Sequence, residues 1–212
     1  MVRDIKSLFS HLATHASTYR IDPKRMGILG SSAGCYVAQL AALHVEAPYT
    51  PKALGLWWGM GSFFAVDTWF KATPEPTGFF AKLPADHPIR PLLRDARFLD
   101  ALTGSRVLSE KLNALPLERR GAAIPEELRP LFPELLRQSA AYWPPTAIVH
   151  GGGDTAIEVR ESEVLRDELE ARGDVEVQCE LPEGGEHGLD GAENAQEARV
   201  KVYSFVARHL LA

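Results

Sequence analysis

The sequence predicts an α/β fold in which a parallel sheet is flanked by helices, and three observations carry that expectation. Short apolar runs of strand length alternate with helical patterns, the order that builds parallel β-α-β units. The stretch Gly-Ile-Leu-Gly-Ser-Ser-Ala-Gly at 27–34 joins one apolar run directly to an alanine-rich helical run through small residues. Residues 62–141 then intervene without a strand pattern. The 212-residue length suits one domain carrying an insertion.

In chain order, residues 2–18 place Val2, Ile5, Leu8/Phe9 and Leu12 on one helical face. Residues 21–25 read as a turn around Asp22-Pro23. Residues 26–31 form a short buried strand, and 33–46 a helix with Val37, Leu40 and Ala41 on one face. Residues 53–60 are a second strand, and 146–151 a third, entered through Pro144-Pro145. Residues 158–172 form a helix stopped by Gly173. A fourth strand, 175–181, alternates Val175, Val177, Cys179 and Leu181 on one face, and a last helix over 192–211 buries Val202, Phe205/Val206 and Leu210. The 62–141 insertion is rich in proline and aromatics (Phe63, Phe64, Trp69, Phe79, Phe80), with helical patches near 91–102 and 125–139. It reads as a cap or lid, or else as a helical excursion covering one sheet face.

Composition excludes several classes. The net charge is −5, from 28 acidic and 23 basic residues, and no basic stripe appears, which argues against nucleic acid. No uninterrupted apolar run reaches the ~18 residues of a membrane span. The opening Met-Val-Arg-Asp-Ile-Lys lacks the apolar stretch of a signal peptide. Cys35 and Cys179 make neither a disulfide framework nor a metal-ligand spacing. They read as buried free thiols, and a cytoplasmic location fits. No motif implies a metal or an organic cofactor.

The chemistry begins at Gly30-Ser31-Ser32-Ala33-Gly34. A strand turning sharply into a helix strains the residue at its tip and lifts that side chain above the sheet, the geometry of the G-x-S-x-G elbow. Ser32 is the central residue, and glycine at 30 and 34 answers the close approach of strand and helix. The Ala33 N–H would point at a developing oxyanion. A serine hydroxyl needs a base to take its proton. Of seven histidines, His11, His15, His44 and His209 lie on helical segments, His87 in the insertion, and His150 at a strand end where it shapes a loop. His187 stands in a glycine-rich loop after the last strand, where reactive groups of parallel sheets collect. The acid that orients it is Asp154, after the third strand; Glu183, Glu186 and Asp190 compete but read as solvated loop charges.

The segments at 19–34, 144–169 and 182–191 together resemble the α/β-hydrolase fold, in its hormone-sensitive-lipase-like esterase branch. The resemblance implies Ser32 as nucleophile, Asp154 as acid, His187 as base and Ala33 N–H as one oxyanion donor, with the four strands side by side in sequence order. It also implies further strands before residues 2–18, and a His-Gly-Gly-Gly loop there supplying more oxyanion donors. The His-Gly-Gly-Gly at 150–153 lies after the nucleophile and reads as a coincidence of composition. The expectation is therefore the C-terminal portion of such an enzyme, a truncated α/β-hydrolase with strand 26–31 at an open edge, so that the chain either self-associates across that edge, is unstable alone, or is a truncated form of a longer enzyme. Its substrate would be a small-molecule ester, with Trp58, Phe63 and Phe64, beside Trp57 and Trp69, either lining an acyl pocket or forming plain core. Two alternatives stay open: an amidase of the arylformamidase kind, and a non-catalytic fragment acting as an interaction module.

Overall fold

The computed structural model describes residues 2–212. Four strands form one parallel sheet: β1 (Ile28–Ser31), β2 (Leu54–Trp57), β3 (Thr146–Val149) and β4 (Val177–Glu180). They lie in the order β1-β2-β3-β4, so β1 is an edge strand. Ile28 pairs with Leu54, Leu54 with Thr146, and Thr146 with Val177. Each strand is shorter than its apolar run. At β2 the run is cut where Trp58 adopts φ 38°, which takes Trp58, Gly59 and Met60 out of the sheet.

The helices in chain order are α1 (Val2–Thr14), α2 (Ala16–Tyr19), α3 (Ala33–His44), α4 (Gly78–Ala81), α5 (Ile89–Arg94), α6 (Phe98–Thr103), α7 (Arg106–Asn113), α8 (Leu117–Arg120), α9 (Val159–Arg172) and α10 (Ala195–Leu211). Strand alternation decides which helix covers which face. Leu54, Leu56 and Ile148 pack with Cys35, Ala38 and Ala42 of α3 and with Leu165 and Leu169 of α9. Ala147 and Val149 point the other way, onto Val202, Phe205 and Val206 of α10. Gly55 shares that second face, and a Cβ there would stand 3.0 Å from Val202 Cγ1, so glycine lets α10 lie close to the sheet. Among the described residues no helix is long and apolar enough to cross a membrane.

No strand lies between β2 and β3. This stretch packs an aromatic core of its own, Phe63, Trp69, Phe70 and Phe132, which joins Tyr36 of α3 and Ile5 and Phe9 of α1. Phe63 is 2% exposed and Trp69 3%, so both belong to that core and neither lines an open pocket. The expected helical patch at 91–102 is two helices, α5 and α6, parted where Ala96 takes φ 52°. The patch at 125–139 is a series of 3-10 turns (Glu126–Leu131, Pro133–Leu135, Arg137–Ser139), because Pro130 and Pro133 withhold N–H groups that an α-helix would use.

The loop leaving β2 is held by buried ionisable side chains. Glu161 of α9, fully buried, accepts the Gly61 and Ser62 N–H groups (3.1 and 3.3 Å) and the Trp69 indole N–H (2.6 Å). Glu134 accepts the Phe63 N–H at 2.8 Å. Arg137, also fully buried, donates to the Gly61 carbonyl (2.8 Å) and to Gln39 (2.9 Å), and pairs with Glu168. Burial, with the Glu134 carboxylate nearby, pushes the Glu161 carboxyl up to about 8 against the pull of its hydrogen bonds.

The outer flank of β1 is bare. Leu29 is 46% exposed, and Leu8 and Val37, expected on the inner faces of α1 and α3, are 53% and 37% exposed. An apolar groove of about 770 Å³ runs there, between α1, β1 and the end of α10.

Candidate active site

Ser32 sits between β1 and α3 with φ 54° and ψ −127°. For a residue with a Cβ that is a strained conformation. Neighbours on both sides hold it: Ser32 N–H donates to the Trp57 carbonyl (3.0 Å), and the Ser32 carbonyl accepts from Cys35 N–H (3.0 Å) and Met60 N–H (3.3 Å). Gly30 is needed for the turn, since a Cβ there would fall 2.4 Å from the Gly34 carbonyl oxygen. Gly34 differs from expectation: a Cβ on it would meet open space, and it is the Gly34 backbone that presses on Gly30. Cys35 is buried just behind the elbow, and burial pushes its thiol well above the ordinary range.

The structure brings Ser32, His187 and Asp154 into one hydrogen-bonded line. Ser32 Oγ lies 3.0 Å from His187 Nε2, and His187 Nδ1 lies 2.8 Å from Asp154 Oδ2. Asp154 is anchored by its own loop, since Oδ1 accepts the Ala156 and Ile157 N–H groups at 2.8 and 2.9 Å. Burial opposes its ionisation, but hydrogen bonds from His150, His187 and Ile157 outweigh it and hold the carboxyl well below the usual carboxylate range. An ionised Asp154 only accepts, so His187 carries its proton on Nδ1 and leaves Nε2 free to accept from the Ser32 hydroxyl. The Ala33 N–H is in the first turn of α3, where no intrahelical partner exists, and Ala33 is exposed.

The remaining expected residues fall as follows. His150 is fully buried, with Nδ1 2.7 Å from Ser162 Oγ, and Nε2 2.9 Å from the Ile157 carbonyl and 3.2 Å from Asp154 Oδ2. It braces the acid's loop. The glycines after it have a packing reason of their own. A Cβ on Gly151 would fall 2.2 Å from the Gly185 carbonyl oxygen, and one on Gly153 2.8 Å from that of Gly184, so glycine there lets the acid's loop lie against the histidine's loop. Glu183 and Asp190 are exposed. Glu186 is not a solvated charge: it accepts Thr155 N–H (2.7 Å), Thr155 O–H (2.5 Å) and His187 N–H (2.8 Å). Trp58 is half-buried under Arg199, and Phe64 stacks on Phe70 and Phe132 within the aromatic core. The ring that does meet the histidine is Phe79, with centroids 4.6 Å apart. In the sequence Glu186 stands only among the carboxylates that compete with Asp154, and Phe79 only among the insertion's aromatics; the proline-rich run before Phe79 signals a loop but not its destination. Among the described residues, no group of three or more His, Cys, Asp or Glu side chains is arranged to hold a metal ion.

With this geometry in hand, the comparisons are informative. A family model described as BD-FAE matches residues 1–53. No curated protein matches the chain. Among solved structures, carboxyl esterase 2 from Tuber melanosporum aligns with a TM-score of 0.60 at 22% identity, covering 94% of this chain and 60% of that one. A truncated carbohydrate esterase from gut microbiota aligns with a TM-score of 0.60 at 17% identity, covering 100% and 68%. An acetyl ester-xyloside bifunctional hydrolase from Caldicellulosiruptor lactoaceticus aligns with a TM-score of 0.54 at 18% identity, covering 99% and 66%. The chain thus spans roughly two thirds of the length of the structures it resembles. Four parallel strands in sequence order with helices on both faces align with these structures along nearly the whole chain, and the chain has the α/β-hydrolase fold.

Proposed function

We propose that this chain is a serine hydrolase of carboxylic esters, acting through an acyl-enzyme on Ser32. The observation that carries the reading is the Ser32–His187–Asp154 line at a strained strand-to-helix turn. Ser32 Oγ attacks the ester carbonyl while His187 Nε2 takes its proton. The Ala33 N–H stabilises the oxyanion. As the tetrahedral intermediate collapses, His187 returns the proton to the leaving alcohol, and acyl-Ser32 remains. Water, deprotonated by His187, then releases the acid. Asp154 stays ionised throughout and stabilises the imidazolium. The esterase names among the solved structures support an ester substrate, and in this reading residues 62–141 serve as a cap on a single domain. Trp58, at the C-terminal end of β2, is the substrate contact we retain from the three aromatic candidates. An amidase of the arylformamidase kind would use the same groups.

A second reading, a non-catalytic interaction module, is favoured by the exposed Ala33 and the bare flank of β1. Pre-steady-state mixing with p-nitrophenyl acetate separates the two. The esterase reading expects a burst of about one nitrophenolate per chain, followed by slower turnover. A linear trace at the background rate supports the module.

A further inference from the structure

We infer that Phe79 is a specificity-determining residue: the 62–141 segment uses it to contact the leaving alcohol of the ester. The inference rests on the esterase reading above. Phe79 belongs to α4, yet its ring stands against the His187 imidazole at 4.6 Å and an interplanar angle of 61°. It is fixed there through its backbone. Phe79 N–H donates to Thr155 Oγ1 at 2.8 Å, and that hydroxyl donates to Glu186 at 2.5 Å. Gly78 sits so close that a Cβ would fall 2.0 Å from the same oxygen. One hydroxyl, next in sequence to Asp154, therefore ties together the acid's loop, the histidine's loop and the start of α4.

The chemistry then assigns the ring a role. The leaving alkoxide receives its proton from His187 Nε2, so the alcohol portion of the ester must come up beside the imidazole. Phe79 already lies beside that imidazole, and Phe80 backs it with an edge-on ring 5.7 Å away. An alcohol that presents a flat apolar face gains an aromatic contact there, and a small aliphatic alcohol does not. The favoured class is esters of aryl-bearing alcohols.

The test compares benzyl acetate with methyl acetate. Both give the same acetyl-Ser32, so deacylation is common to the pair and the ratio of kcat/KM reports the alcohol side alone. Phe79→Ala should lower the benzyl-to-methyl ratio by about tenfold. Phe79→Leu keeps apolar bulk without the ring and should lower it in the same direction, which covers failure of the alanine variant to fold. Phe79→Tyr should restore the ratio. Thr155→Val, which removes the tie, should lower the ratio too and add little in the Phe79→Ala background. A ratio that is unchanged or raised in both the Ala and Leu variants overturns the inference, because a purely structural role slows both esters together. Fluorophosphonate labelling of the wild type keeps the two readings apart. Labelling at Ser32 with an unchanged ratio sinks this inference alone, whereas no labelling at Ser32 sinks the esterase reading and this inference with it.

Discussion

Asp154 carries more of the site's electrostatics than its single bond to His187 suggests. Its two oxygens accept from four groups, Ala156 N–H, Ile157 N–H, His150 and His187, so it is both an anion and a loop anchor. Asp154→Asn keeps the shape but allows His187 the wrong tautomer, and acylation should fall by roughly 10⁴. Stopped-flow measurement with an activated acetate ester checks this, and a loss under tenfold would place the orienting acid elsewhere, with Glu186 the nearest carboxylate. Gly30 makes a separate prediction. Its missing Cβ faces backbone, not a movable side chain, so Gly30→Ala should destabilise the fold by about 2–3 kcal/mol in a denaturant titration. At this scale the sequence is legible where function is encoded locally. Ser32 is marked by a five-residue turn, and Asp154 and His187 by glycine-rich loops after strands. Glu186 and Phe79 were illegible because their surroundings are supplied by distant segments. Phe63 illustrates the converse: an aromatic just past a strand end looks the same in sequence whether it meets substrate or, as here, Tyr36, Trp69 and Phe132.

The element that sets the elbow's surroundings is the loop from β2, and it hangs on ionisable side chains buried in α9 and in the 3-10 turns. Glu161 holds two of its N–H groups, and Arg137 one of its carbonyls. Because the folded state raises the Glu161 pKa to about 8, it keeps a proton that the unfolded chain releases near pH ~4.3. Between those values the native state binds more protons than the unfolded one, so stability falls as pH rises. Melting temperature should therefore decline from about pH 5 to about pH 8, with a loss on the order of a few kcal/mol. Glu161→Gln should reduce that decline, with Glu134, which burial likewise pushes up to about 7, supplying the remainder; an unchanged slope in the variant would show that Glu161 does not titrate in this range. None of this was visible in the sequence. The helices α3, α9 and α10 were, since their apolar residues recur at helical spacing and their faces meet a sheet. The helical patch at 125–139 was visible too, but not that it winds as 3-10 turns around Pro130 and Pro133.

For the molecule as a whole, the dominant feature is the unpaired side of β1. Its backbone is free on one side, and Leu8, Leu29 and Val37 leave apolar surface on either hand of the strand. Asp22 and Arg25 stand at one end of the groove but β1 itself carries no charge, and an unblunted edge is the arrangement that pairs with another strand. Sedimentation velocity should show association that grows with protein concentration, and Leu29→Lys should weaken it. A wild-type chain that stays monomeric across a hundredfold concentration range would mean that α1 and α10 protect the edge well enough alone. The parallel order of the strands was legible from their alternation with helices; the exposure of Leu8 and Val37 was not, because periodicity marks an apolar face without saying what covers it. The central claim, a covalent nucleophile at the turn between β1 and α3, is tested most directly by intact-mass and peptide mapping after treatment with a fluorophosphonate. One adduct per chain is expected, located on Ser32, lost in Ser32→Ala and retained in Ser31→Ala. An adduct that persists in Ser32→Ala, or a folded wild-type chain that takes up none, would contradict it.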